Sequence, residues 1–274
     1  MAIIAISRGS MELGQGLAEK LAMALGCPCI DREIIVEAAH QMGVSQETMT
    51  SKMERVPSFW ERLTSERTAY VIAMQAALAE HVLKGDFVYH SWAGHILLRD
   101  LPVLRLRIIA PLELRVQRVM ERRDLSREQA LSLVLKVDAE RARWTRFIYG
   151  VDWTDPSGYD AVLNLATMSV DAACDAAVAI ARRPDFSLQR RTGRLQSFAL
   201  AARARLVLAV HPSTRILDLE VTAEDAVVTI TCVATQAALT ASMERALEDE
   251  LRTVVMGVSG VKDVKLVIGP VPSA

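Results

Sequence analysis

Ile3-Ile4-Ala5-Ile6-Ser7-Arg8-Gly9, continuing to Gly14-Gln15-Gly16, is the stretch that decides the fold. A short apolar run breaks at a glycine, and an amphipathic segment carrying Leu17, Leu21 and Leu25 follows at once. Strand, glycine-bearing turn and helix in that order form a phosphate cradle, because backbone N–H groups and the positive end of a helix face the anion. Gly9 and Gly14 keep the G-x-x-x-x-G spacing of phosphate-binding loops. The charge chemistry is altered. Gln15 stands where such loops carry a lysine, and Gly16-Leu17 bring no hydroxyl for magnesium.

Outward from this stretch, short apolar runs alternate with helical patterns up to about residue 182. Residues 3–6, 27–30, 87–90, 103–109 and 161–165 read as strands. Helical spacing fills the intervals, as in Tyr70, Met74, Ala77, Leu78 and His81, or Leu112, Val116, Val119 and Met120. Such alternation predicts an α/β fold: a parallel sheet covered by helices, with ligands beyond the carboxyl ends of its strands. Residues 183–196, with Arg183, Arg190, Arg191 and Arg194 beside Pro184 and Gly193, read as a basic linker. Residues 197–274 then follow the order helix, strand, strand, helix, strand, with Glu224-Asp225 at the turn, which predicts a small separate α+β module.

Composition restricts the function classes. The 274 residues, 51% hydrophobic, suffice for two domains. A net charge of −1 gives no global attraction to nucleic acid or anionic membrane. No stretch approaches the roughly 18 apolar residues that cross a bilayer, and the first residues lack a basic leader. Four cysteines, with Cys27 and Cys29 wrongly spaced for a zinc knuckle or redox pair, read as buried thiols of a cytoplasmic protein.

Three further clusters carry possible chemistry. Asp31-Arg32-Glu33 follows the second strand; Asp31 and Glu33 suit a helix start, whereas Arg32 opposes the helix dipole and suits a second phosphate. Arg115, Arg118, Arg122 and Arg123 follow the fourth strand, and Arg141, Arg143 and Arg146 lie in the next helix. Arg141 falls on the apolar stripe of Val134, Val137, Trp144 and Ile148, so it needs a partner; Asp138, three residues away, is the expected one, ahead of a bound phosphate. His90 and His95 bracket the end of the third strand and lack a third ligand within sequence reach, so no metal site is expected there.

Taken together, Ile6-Ser7-Arg8 with the glycines, Leu25-Gly26-Cys27-Pro28, Asp31-Arg32-Glu33-Ile34-Ile35, Asp138-Ala139-Glu140-Arg141-Ala142-Arg143-Trp144, Asp152-Trp153-Thr154-Asp155-Pro156 and Tyr159-Asp160-Ala161-Val162-Leu163-Asn164 resemble the cytidylate-kinase-like proteins over residues 1–182. The resemblance implies a P-loop kinase fold that transfers a phosphoryl group from ATP, with Mg2+, to a nucleoside monophosphate such as CMP or dCMP. It implies that Arg8, Gly9, Ser10, Gly14, Gln15 and Gly16 hold the donor phosphates and that Asp31 and Arg32 begin the acceptor site. It also places Arg118, Arg122, Arg123, Arg141 and Arg143 in a lid over the transferring group, where positioning and charge neutralisation matter most. The tail, with Val221, Val227-Val228-Thr229-Ile230 and Gly257-Val258-Ser259-Gly260-Val261-Lys262-Asp263-Val264, resembles a BON domain, a module associated with lipid surfaces, protein partners or small ligands. Its nine acidic and seven basic residues favour protein or small-ligand partners over anionic lipid.

The chain departs from the family pattern at the loop lysine, at the magnesium hydroxyl and after the third strand, where Ser91-Trp92 replaces Gly-Arg. Loss of one transition-state cation costs ~10³–10⁵ in rate, so weakened or lost turnover is expected. A non-catalytic scaffold whose tail binds a partner is the alternative reading.

Overall fold

The computed structural model describes residues 2–8, 11–31, 33–43, 45, 47, 66–90, 93–186, 192–233 and 241–269. They divide into two compact units that do not follow chain order. One holds Met1–Ile34 and Lys84–Arg190; the other holds the helices between Ile35 and Leu83 together with the described chain from Thr192 onward.

The first unit is built on five parallel strands in the order β2-β3-β1-β4-β5. These are β1 (Ile4–Arg8), β2 (Cys29–Ile30), β3 (Val88–Tyr89), β4 (Leu104–Ile109) and β5 (Ala161–Asn164). All five fall inside or within two residues of the expected runs. Every residue from Ala2 to Ser7 is buried, as a central strand covered on both faces requires. On one face Ile4, Ile6, Leu104, Leu106 and Ile108 pack under Leu17, Ala18, Leu21 and Ala22 of α1 (Met11–Leu25) and Ala173, Cys174 and Ala177 of α7 (Val170–Ala181). Burying Leu17 and Leu21 contributes roughly 1.5–3 kcal/mol each, which fixes α1 behind β1. The other face carries Ile3, Ala5 and Ser7, with Arg105 and Arg107 beside them in register.

Short α4 (Gly94–Leu97) follows β3, and α5 (Leu112–Arg123) follows β4. Gly94 has a close-approach role: a Cβ there would overlap the Tyr89 ring, so only glycine lets α4 close onto β3. Helix α6 (Arg127–Tyr149) opens on a capping box, in which Ser126 Oγ accepts from the Gln129 amide at 3.3 Å and Gln129 Oε1 accepts from the Ser126 amide at 2.9 Å. Gly150, at φ +65°, ends it in the left-handed region that glycine adopts freely.

The second unit joins α2 (Glu33–Gln41, from Ile35 on) and α3 (Glu66–Lys84, to Leu83) to α8 (Thr192–Val210), β6 (Leu219–Glu224), β7 (Val227–Val233), α9 (Ala241–Met256) and β8 (Asp263–Gly269). The expected helix, strand, strand, helix, strand order is present. β6 and β7 pair antiparallel around Asp225 and Ala226, both at positive φ, and β7 and β8 pair parallel. Leu200, Leu208, Val221, Ile230, Leu251, Val255 and Val264 form its core. The expected linker is partly helical: α8 begins at Thr192 and Leu195 is buried. Ala76 and Ala79 of α3 meet Ala199 and Ala202 of α8, and Arg203 grips Glu80 through both carboxylate oxygens at 2.5 and 2.8 Å. No described helix is long and apolar enough to cross a membrane.

Candidate functional site at the carboxyl end of the central strands

Met11, three residues beyond the last residue of β1, opens α1. The first amides of a helix have no intrahelical acceptor and its N-terminus carries about half a positive charge, so the turn at Met11, Glu12 and Leu13 offers donors to an anion. Gly14, Gln15 and Gly16 come after this turn. They lie inside α1, where their amides are consumed by the helical ladder, rather than in a loop. Met11, Glu12 and Leu13 are residue types compatible with a helix, and the helix starts before the second glycine. Gly14 is buried; an added Cβ on Gly16 would meet no atom within 4 Å. Gln15 donates to Glu19 Oε1 at 2.9 Å, one turn along. Lys20, the first lysine in the chain, pairs with Asp171 of α7. Gly9, Ser10 and Arg32 lie outside the described residues, as do the side chains of Arg8 and Glu12.

Asp31 follows β2 and His90 follows β3, which places both at the same end of the sheet; His90 Nδ1 is 3.9 Å from Asp31 Oδ2. Helix α2 opens at Glu33, whose carboxylate accepts from the Asp31 amide at 2.8 Å.

The arginines expected in a lid separate. Arg118 pairs with Glu121 at 2.9 Å on the exposed side of α5, and Arg122 and Arg123 are exposed in its last turn. Arg143 is exposed on α6. Asp138, expected to pair with Arg141, is instead gripped by Arg115 of α5, both oxygens at 2.7 Å, because α5 and α6 lie side by side. Arg141 is half-buried, its guanidinium 5.0 Å from the centroid of the Trp153 ring.

Trp153 belongs to a buried polar wall that sequence reasoning missed. Tyr159 hydroxyl lies 3.1 Å from Ser7 Oγ, 3.2 Å from His95 Nε2 and 2.8 Å from the Trp153 carbonyl. The His95 and Tyr159 rings stack at 4.7 Å. Arg107 donates to the Trp153 carbonyl and lies over the Trp153 and Tyr159 rings, 4.6 and 5.6 Å from their centroids. Arg105 holds Asp160 through both oxygens at 3.2 and 3.0 Å, tying β4 to the start of β5. Burial first, then Arg107, Arg105 and Arg141, push the His95 imidazole down to about 4, so it is neutral at pH 7. Burial raises Tyr159, which stays a hydroxyl. The wall is therefore a place of fixed donors and full positive charges in a dry setting, suited to holding an anion rather than to moving protons.

A family model described as "Cytidylate kinase-like family" matches residues 3–167, the stretch that builds this sheet end. The chain belongs to the cytidylate kinase-like family. A protein named cytidylate kinase from Methanopyrus kandleri is 32% identical over 100 residues, covering 36% of this chain and 49% of that protein, so the chain spans about half its length. The cytidylate kinase of Ignicoccus hospitalis is 25% identical over 175 residues, covering 63% of this chain and 94% of that protein. Among solved structures, an uncharacterized protein from Eubacterium ventriosum aligns with a TM-score of 0.52 at 23% identity, covering 65% of this chain and 97% of that one, a likeness of fold.

Family membership brings ATP and Mg2+ into question for this sheet end. The first turn of α1 fits a phosphate group. Magnesium fits less well, since Gly16 has no side chain to offer it and, among the described residues, no cluster of three or more His, Cys, Asp or Glu gathers.

Proposed function

We propose that the protein binds nucleotides at the carboxyl end of the five-stranded sheet, ATP as donor and CMP or dCMP as acceptor, with phosphoryl transfer weakened or lost. The observation that carries this reading is the start of α1 at Met11, directly behind β1 of a β2-β3-β1-β4-β5 parallel sheet, in a chain of the cytidylate kinase-like family. Weak transfer follows from Gln15, tied to Glu19, in the lysine position and from Gly16 in the hydroxyl position. The donor phosphates would meet the amides at the head of α1, and the acceptor would extend toward Asp31 and His90. Arg141, beside Trp153, and the exposed Arg118, Arg122, Arg123 and Arg143 would close over the transferring group. Closure would exclude water that otherwise hydrolyses the donor. The free thiols of Cys27, Cys29, Cys174 and Cys232, each pushed up by burial, suit a reducing compartment such as the cytoplasm.

Isothermal titration of the full chain with ATP, ADP, CMP and dCMP tests binding; no heat at millimolar ligand removes the nucleotide reading. A coupled ADP-release assay with CMP tests transfer. Any turnover should fall in Arg141→Ala, and a flat wild-type trace at high enzyme concentration leaves binding without catalysis.

A second reading concerns the module at the C-terminal end of the chain. Its α-β-β-α-β order, with a mixed three-stranded sheet, supports the BON-like resemblance and a role in holding a protein or small-ligand partner. Flotation of the full chain with neutral and anionic vesicles tests the remaining alternative. Retention on anionic vesicles would move the reading to a membrane surface.

A further inference from the structure

Arg107 is a buried charge without a counter-charge among the described residues. It stands in β4 level with Ser7 of β1 and is only 8% exposed. Among the described residues no carboxylate pairs with it: Asp160 is taken by Arg105 and Asp138 by Arg115. What it has is the Trp153 carbonyl, the Tyr159 hydroxyl and the faces of two aromatic rings. A guanidinium carries five N–H donors and burying an ion is costly, so aromatic faces and two neutral acceptors leave much of its hydrogen-bonding capacity unused.

The same wall holds a second unsatisfied donor. Trp153 is 4% exposed, and its indole Nε1, which can only donate, has no acceptor among the described residues. His95 Nδ1, also buried, has no partner among them either. Ser7 is four residues before Met11, so this wall lies within about 14 Å of chain reach from the head of α1. The chemistry that satisfies a planar guanidinium and an indole N–H together is an oxygen-rich dianion. Phosphate meets Arg bidentately and accepts further donors on its remaining oxygens.

We propose that Arg107, with the Trp153 indole N–H, forms an anion seat that takes a phosphate group at the carboxyl end of β1, supplying from the sheet the positive charge that Gln15 does not supply from α1. The seat deepens the nucleotide reading and rests on it only for the source of the phosphate. Arg107 acts by direct contact with phosphoryl oxygens; Tyr159 and His95 are positioning residues that hold Trp153 and Ser7 around it.

The test is titration of the full chain with sodium pyrophosphate, inorganic phosphate, ATP, CMP and unphosphorylated cytidine, for the wild type, Arg107→Met and Lys136→Met. Lys136 is an exposed residue of α6 paired only with Glu140, and serves as a charge control. Pyrophosphate should bind the wild type and Lys136→Met alike and at least tenfold more weakly in Arg107→Met, while cytidine shows no dependence on Arg107. Equal pyrophosphate affinity in Arg107→Met, or no binding by the wild type, overturns the seat. Nucleotide binding that survives intact in Arg107→Met sinks the seat and leaves the nucleotide reading standing. Arg107-dependent pyrophosphate binding without ATP or CMP binding does the reverse. Should Arg107→Met fail to fold, NMR titration of His95 in the wild type decides the matter. An anion among Arg105, Arg107 and Arg141 raises the His95 pKa from its depressed value, and an unchanged titration at saturating pyrophosphate overturns the proposal.

Discussion

The two sides of β1 hold positive charge in opposite ways. Behind its carboxyl end, on the α1 side, the charge among the described residues is that of the backbone dipole: Gln15 bonds to Glu19, Gly16 has no side chain, and Lys20 pairs with Asp171. On the other side, Arg105, Arg107 and Arg141 crowd a buried wall with Trp153, Tyr159 and a neutral His95. A helix terminus offers about half an elementary charge, a guanidinium a whole one. A phosphate entering this sheet end meets directional but weak donors on one flank and strong, rigid ones on the other. The difference teaches that a helix start without a lysine need not mean an uncharged sheet end.

The comparison can be broken or sharpened by experiment. The largest effect expected is acid sensitivity from the wall. His95 ionises at about 4 when folded against an ordinary 6.5, so the unfolded chain binds its proton first as pH falls. Stability then drops between pH 6.5 and 4, by about 3 kcal/mol in all, and is fully present above 6.5. Urea unfolding across that window should show the slope, and His95→Gln should flatten it; an unchanged slope in the variant removes the wall as its origin.

Next comes restoration of the weak flank. Gln15→Lys with Gly16→Ser should tighten ATP binding by about 1.5–3 kcal/mol, the worth of a hydrogen bond to a charged group, or roughly tenfold and more by titration. There is room for the serine, since nothing lies near a Cβ on Gly16. If affinity stays flat, the α1 flank is not short of charge. Tyr159→Phe should cost about 1–2 kcal/mol in urea stability, because its hydroxyl joins Ser7, His95 and the Trp153 carbonyl and its loss strands them in the interior. The smallest effect is Gly16→Ala, expected to stabilise by about 0.5–1 kcal/mol through helix propensity. A thermal melt should rise while ATP affinity holds, separating the helix's stability from the donors at its head.

Much of this architecture was legible in the chain. Each expected strand run from residue 3 to residue 165 holds a strand, because burial of β1, β3 and most of β4 leaves a nearly continuous hydrophobic record there, whereas β5 is only half-buried. The tail's alternation and turn residues gave its element order for the same reason. The head of α1 was misjudged because glycine spacing says nothing about where Met11, Glu12 and Leu13 begin to coil. Arg107 was invisible for a different reason. Arginine inside a strand run looks like an exposed position, and the residues that bury it lie far along the chain, Trp153 being 46 positions away. Arg115 and Asp138 were likewise joined across two helices, whereas local spacing offered Arg141. Local pattern records which face a residue turns to the core, and pairings between distant charges leave no such periodic trace.

The alanine seam between α3 and α8 has its own consequence. Small side chains let two helices approach closely, and the Arg203–Glu80 clasp then fixes their register. A gene fragment that stops near residue 191 would deprive α3 of that lining and leave the Glu80 carboxylate without its clasp. Shortened forms of this protein are therefore expected to be sticky and short-lived, because α8 is part of the packing that α3 requires rather than cargo.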